Sequence, residues 1–219
     1  MVIFNNTVNV NIGGILLEKI TDFLLQLKNA KHLVRMTIVG DGAVGKTTMV
    51  KAMLRKTSHN NQDPLTSDQL ENKKVTRTPF IEIESWSYKD LIFQCYDLAG
   101  QRTPGVHPVD ILKNQVLNFI DIYVFVFSLD RYESFENINN WIQLMNFNDR
   151  SENENLGLIL VGNKVDLERN VSNELIQSLI GEDKHFHTYV ETSSIYGIGI
   201  GKLLDEIVKM SKKLLKMND

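Results

Sequence analysis

The chain has 219 residues, a length that fits one domain with extensions rather than two independent bodies. Hydrophobic residues make up 42% and charged residues 23%, with only 4 prolines, which excludes the disordered and fibrous classes and allows a sizeable core. A formal charge of -3 argues against a nucleic-acid grip, and the single cysteine, Cys95, excludes an internal disulfide framework and suits a reducing compartment.

The first residues lack the basic and apolar regions of a secretory signal, and no run approaches the 18 apolar residues that a spanning helix needs. Val2 excludes a myristoyl acceptor and the final KMND carries no prenylation cysteine. The expectation is a cytoplasmic chain with no integral membrane segment and no lipid-anchor signal. Over residues 2–12, Val8, Val10 and Ile12 share a period-two face, predicting a short added strand that Gly13 and Gly14 break. Over 15–28, Leu16, Ile20, Phe23, Leu24 and Leu27 recur at helical spacing, predicting an amphipathic helix that packs on the domain. Residues 1–32 therefore read as an extension and 33–219 as the main domain.

That domain opens with an apolar run at 32–39, suited to a buried strand, which leads into GDGAVGKTT at 40–48. The string matches G-x-x-x-x-G-K-[ST] in the required strand, loop and helix context. Gly40, Gly42 and Gly45 permit close approach of backbone N–H groups to phosphate oxygens, and the helix at 47–55 aims its N-terminal donors at the same anion. Lys46 is placed to reach the β- and γ-phosphates and Thr47 to ligand Mg²⁺. The polar stretch 57–74 has no periodicity and reads as a mobile loop.

Two strands follow at 80–86 and 91–96, joined across 87–90, and the alternation of the first predicts an edge strand. Cys95 lies in the second without a partnered histidine, so core packing is its expected role. The second strand runs into DLAGQ at 97–101, where Asp97 is placed to hold Mg²⁺ and Gly100 to sense a γ-phosphate through its N–H. Helices are predicted at 106–118, 135–148 and 172–180, the last with Ser172 as N-cap, and continuous apolar strands at 122–128, 156–162 and 187–192. GNKVDL at 162–167 supplies Asp166 to accept from two donors on a guanine edge, Asn163 to tie loops and face the base, and the Lys164 stem to cover its plane. Thr192, Ser193 and Ser194 complete a base pocket, and a helix at 200–215 ends the domain.

In order and context, GDGAVGKT, DLAGQ, NKVD and ETSS resemble the Ras-like small GTPase superfamily over residues 33–215. A weaker likeness is to Roc domains, since TPFIEIESW at 78–86 is similar to their T-x-x-I-D-[IV]-K-D-W segment, although no COR domain follows. The resemblance implies an α/β P-loop NTPase G-domain fold: a mostly parallel six-stranded sheet, helices on both faces, and one antiparallel edge strand. It implies GTP or GDP held by Gly42, Ala43, Val44, Gly45, Lys46, Thr47 and Thr48, with Mg²⁺ at Thr47, Asp97 and a first-switch threonine. Thr66, Thr76 and Thr78 lie in or near that switch; Thr78 is preferred and Thr76 is second. Gly100 carries over as the γ-phosphate sensor and Gln101 as the residue that orients attacking water, with Lys46 completing the catalytic set. Asn163, Lys164 and Asp166 carry over as guanine selectors, beside Thr192, Ser193 and Ser194.

Three departures accompany the match. Lys56, Thr57, Ser58 and His59 stand where an aromatic usually packs beside guanine, Arg102 replaces a common glutamate, and Ile195 replaces a lysine. The expected function is a switch in signalling or membrane traffic that hydrolyses GTP slowly without an activating protein, with loops 57–78 and 98–110 changing order. Its implied partners are an effector, an exchange factor and a GTPase-activating protein, and any membrane recruitment falls to a partner or to the N-terminal helix. The alternatives are a weakly hydrolysing or pseudo-GTPase scaffold and a self-associating Roc-like module.

Overall fold

The structure, a computed structural model, describes residues 6–9, 32–58, 81–98, 117–145, 156–181 and 185–217. Its strands are β1 (Asn6–Asn9), β2 (Leu33–Val39), β3 (Ile81–Tyr88), β4 (Leu91–Leu98), β5 (Ile122–Ser128), β6 (Gly157–Asn163) and β7 (Thr188–Thr192). They form one sheet in the order β1-β3-β4-β2-β5-β6-β7. Strands β2 to β7 make the expected six-stranded, mostly parallel sheet with β3 running against its neighbour β4. The strand expected in residues 2–12 is β1, which pairs antiparallel with β3 from Asn6↔Ser85 to Asn9↔Glu82. Strand β3 is thus the edge of the six-stranded body, and part of that edge is closed by the chain's own beginning, as unpaired strand edges require.

Apolar residues occupy both faces of the central strands because helices cover both. Met36, Ile38, Val124, Val126, Ile159 and Val161 face one core, which α1 (Lys46–Thr57) and α5 (Ile200–Leu214) close through Met49, Met53, Leu203, Leu204 and Ile207. The alternate residues Tyr123, Phe125, Phe127 and Leu160 face a second core, closed by α2 (Tyr132–Glu136), α3 (Ile138–Met145) and α4 (Asn173–Gln177). Helix α5 has the most clearly one-sided pattern, burying Ile200, Leu203, Leu204, Ile207 and Val208 at three- and four-residue steps. Cys95 is fully buried in the first core, and burial holds its thiol well above the ordinary range, in keeping with a packing role.

Several boundaries differ from the sequence expectation for identifiable reasons. Lys89 and Asp90 take positive φ values of 46° and 63°, forming a two-residue hairpin turn between paired Tyr88 and Leu91. Pairing carries β4 through Leu98, two residues past the expected end at Tyr96, so Asp97 sits inside the strand, opposite Ile38 and Glu82. Helix α1 runs through Thr57, whose hydroxyl donates back to the Met53 and Leu54 carbonyls, so the loop expected from 57 starts later. The single helix expected at 135–148 is α2 and α3, divided at Asn137. Ser172 is the N-cap of α4, accepting from the Leu175 N–H at 3.4 Å, but α4 is shorter than expected. The helix expected at 15–28, the rest of the 57–74 loop and most of the 106–118 helix lie outside the described residues. No helix among the described residues is long and apolar enough to cross a membrane.

Candidate functional site

The strand order reverses about β2, whose neighbours are β4 and β5, and this opens a crevice at the C-terminal ends of the parallel strands. Residues 40–45 turn there from β2 into α1. Gly40 has φ +147°, and a Cβ on it would lie 2.1 Å from the Val126 carbonyl oxygen, so the loop leaves the sheet flush against β5. Gly45 has φ +98°, and a Cβ there would lie 2.3 Å from the Asn163 amide nitrogen. Both positions require glycine. Helix α1 starts without a side-chain cap, leaving its N-terminal dipole aimed into the crevice.

Lys46 is buried, and its ammonium donates to the Gly40 and Asp41 carbonyls, each at 2.8 Å. Burial lowers its pKa to about 8, although the charges of Asp97 and Asp41 oppose the shift. An ammonium held under this penalty gains from an added anion. Asp97 is 1% exposed; Thr47 donates its hydroxyl to one carboxylate oxygen, while the other, Oδ1, is buried with no hydrogen-bond partner among the described residues. Burial raises the Asp97 pKa to about 6, against the pull of the Thr47 bond and the Lys46 charge. The two shifts have one cause, since desolvation of both ions outweighs their attraction.

The orphaned Asp97 oxygen beside the Thr47 hydroxyl fits a hard cation that takes oxygen ligands. Among the described residues no group of three or more His, Cys, Asp or Glu side chains is arranged to hold a metal. One carboxylate and one hydroxyl fit Mg²⁺, which keeps several waters and completes its shell with substrate phosphates.

The second half of the site is organised by Asn163, the buried last residue of β6. Its amide donates to the Val44 carbonyl at 2.8 Å, and its oxygen accepts from the Thr192 hydroxyl at 2.9 Å and from the Ser194 N–H and hydroxyl at 3.1 and 2.9 Å. One side chain therefore joins the 40–45 loop, the 163–166 loop and the segment after β7. The hydroxyls of Thr192 and Ser194 both donate to Asn163 and so tie this segment to the 163–166 loop. Lys164 takes φ 65° and its ammonium lies 3.5 Å from Asp130; Val165 donates its N–H to the Thr192 carbonyl at 3.0 Å, and Asp166 is exposed. Ser193 is buried and its hydroxyl accepts from the Tyr196 N–H, while Ile195 is 39% exposed.

The structure thus gathers Gly42, Ala43, Val44, Gly45, Lys46, Thr47, Thr48 and Asp97 in one half and links them through Asn163 to the other. Thr76, Thr78, Gly100, Gln101, Arg102 and His59 lie outside the described residues. Sequence reasoning missed a further group around the 40–45 loop: Asp41, Arg131, Asn137 and Trp141. The available signal was a carboxylate, Asp41, set between two glycines where a turn alone would not need it.

Comparison with known proteins is consistent with this geometry. The Ras family model matches residues 35–213. The chain is 26% identical over 191 residues to the Ras-related protein Rab7 of Pisum sativum, covering 84% of each chain. It is 28% identical over 196 residues to the Ras-related protein Rab-27B of Rattus norvegicus, again covering 84% of each. With the Ras-related protein Rab-28 of Caenorhabditis elegans the identity is 24% over 164 residues, covering 74% of this chain and 61% of that protein.

Proposed function

The chain belongs to the Ras family of small GTPases, and from that premise we propose that it is a Mg²⁺-dependent guanine-nucleotide switch that hydrolyses GTP to GDP and phosphate in signalling or membrane traffic. The observation that carries the reading is the convergence of Lys46, Thr47 and the unpaired Asp97 oxygen at the start of α1. In this reading the loop amides and the α1 N-terminus bind the phosphates, and Lys46 neutralises charge that grows on the phosphoryl oxygens. Thr47, Asp97 and Thr78 hold Mg²⁺, which when bound offsets phosphate charge. Gly100 senses the γ-phosphate and Gln101 orients the attacking water. Asp166 and Lys164 select guanine, with Asn163 keeping their loop against the phosphate loop.

We assign residues 33–219 to the GTPase domain and 1–32 to an extension that contributes β1 to the sheet. The chain acts in the cytoplasm and at membranes to which a partner recruits it, and it works with an effector, an exchange factor and a GTPase-activating protein. A pseudo-GTPase scaffold is the second reading. It draws on the end of α1, where Thr57 folds back on its own helix and Lys56, Thr57, Ser58 and His59 stand in the stretch where an aromatic usually packs beside guanine.

Lys46→Ala is expected to weaken GTP binding by roughly 100-fold, the loss of charge-assisted bonds to phosphate. Gln101→Leu is expected to keep GTP binding while lowering hydrolysis at least tenfold, on the order of a lost proton-transfer or water-orienting group. Nucleotide extraction and single-turnover hydrolysis measure both. Wild-type behaviour in both variants rejects the assigned chemistry, and a wild-type chain that binds GTP with Mg²⁺ but never turns it over selects the scaffold.

A further inference from the structure

The 40–45 loop must present several amide N–H groups to one anion, and each amide's direction is set by the carbonyl across its peptide bond. In a trans peptide the two point opposite ways, so holding a carbonyl on one side of the loop turns the next N–H to the other. Lys46 holds the carbonyls of Gly40 and Asp41, and Asn163 holds that of Val44. The Gly42 carbonyl is held by a residue outside every recognised motif: Arg131, between β5 and α2, donates to it from its guanidinium at 2.9 Å.

We propose that Arg131 is a positioning residue for the phosphate loop, holding the Gly42–Ala43 peptide so that the Ala43 N–H faces the bound phosphates. The inference rests on the guanine-nucleotide reading above. Ala43 sits at φ 62°, a left-handed conformation that costs an alanine but not a glycine, so something outside the residue must maintain it. Arg131 is itself well anchored, because its backbone carbonyl accepts from both the Ser134 N–H and the buried Ser134 hydroxyl, at 3.1 and 2.7 Å. The same crossover grips the loop a second time: Asn137 and Trp141 donate to the two oxygens of Asp41 at 2.8 and 2.9 Å. The loop is therefore fastened on its outer side by one crossover, while Lys46 and Asn163 fasten it from within the motifs.

The test is the dissociation rate of a fluorescent GDP in the presence of Mg²⁺ from the full chain. Arg131→Ala is expected to speed release about tenfold, the effect of one charge-assisted hydrogen bond, and Arg131→Lys to fall between it and wild type. Adding Ala43→Gly to Arg131→Ala removes the cost of the left-handed backbone and is expected to recover at least roughly threefold of that loss. A merely structural role for Arg131 would not be relieved at Ala43. Where Arg131→Ala fails to fold, Arg131→Gln carries the same comparison. Release within twofold of wild type, or no recovery in the double variant, overturns the proposal while leaving the nucleotide reading intact. A wild-type chain that binds no guanine nucleotide overturns the nucleotide reading first.

Discussion

Asn163→Ala is expected to destabilise the nucleotide-free chain by about 3 kcal/mol and to lower its melting temperature by about 10 °C, at roughly 2–4 °C per kcal/mol for a chain of this size. The side chain is 2% exposed and makes one donated and three accepted hydrogen bonds across three loops. Truncation leaves the Val44 carbonyl and the Thr192 and Ser194 donors without this partner in a site water reaches poorly, and such groups cost more than the bond was worth. Nucleotide affinity should fall further than stability, because the phosphate half and the base half lose their common fastener. Asn163→Asp separates the two effects: it keeps the acceptor for Thr192 and Ser194 but loses the donor to Val44. A melting curve and GDP titration of both variants check this, and an Asn163→Ala chain that melts with wild type would show that the loops are held by other means.

Asp97→Asn is expected to do the reverse to stability while destroying function. Burial raises the folded pKa of Asp97 from 3.8 to about 6, so the folded state favours the protonated form. Stability associated with this group is present below about pH 4 and is lost as pH rises through 6. At pH 7.5 the ionised carboxylate costs the nucleotide-free chain at most about 3 kcal/mol, roughly two pH units of linkage. The neutral amide should therefore melt higher than wild type at pH 7.5, by about 2 kcal/mol of stability, with the gain vanishing near pH 4. Lys46, whose pKa burial lowers to about 8, adds stability only as pH rises through that value, above the range in which Asp97 titrates. The same variant should lose the extra stabilisation that GTP with Mg²⁺ gives wild type, because the orphaned carboxylate oxygen is the group a cation would use. A variant less stable than wild type at both pH values would show that the carboxylate is not held against its own desolvation. This is the pattern of a functional site that stores unfavourable electrostatics until its ligand arrives.

The readable part of this site consists of residues whose chemistry and spacing are local. The 40–48 string carries its turn, its cation and its hydroxyl within nine residues, and the strand before it and helix after it follow from apolar periodicity. The less readable part consists of pairings between distant segments. Asp97 is expected at the tip of the sheet, just past a strand ending at Tyr96, whereas β2 and β3 pair with β4 through that position and bury the carboxylate. A sequence likewise does not show that the Thr192 and Ser194 hydroxyls are bonded to Asn163, some thirty residues earlier.

Arg131, Asn137 and Trp141 belong to no motif, and nothing in their spacing joins them to a loop about ninety residues away. Composition, periodicity and motif order by themselves determined an α/β chain with a phosphate loop, because backbone propensity and burial act over neighbouring residues. The tertiary structure alone decided which charges are desolvated, which carbonyls are held, and which donors are already committed. Those properties depend on what the sheet brings within hydrogen-bonding distance, and hydrogen bonds and desolvation are decided over a few ångströms of space rather than by separation along the chain.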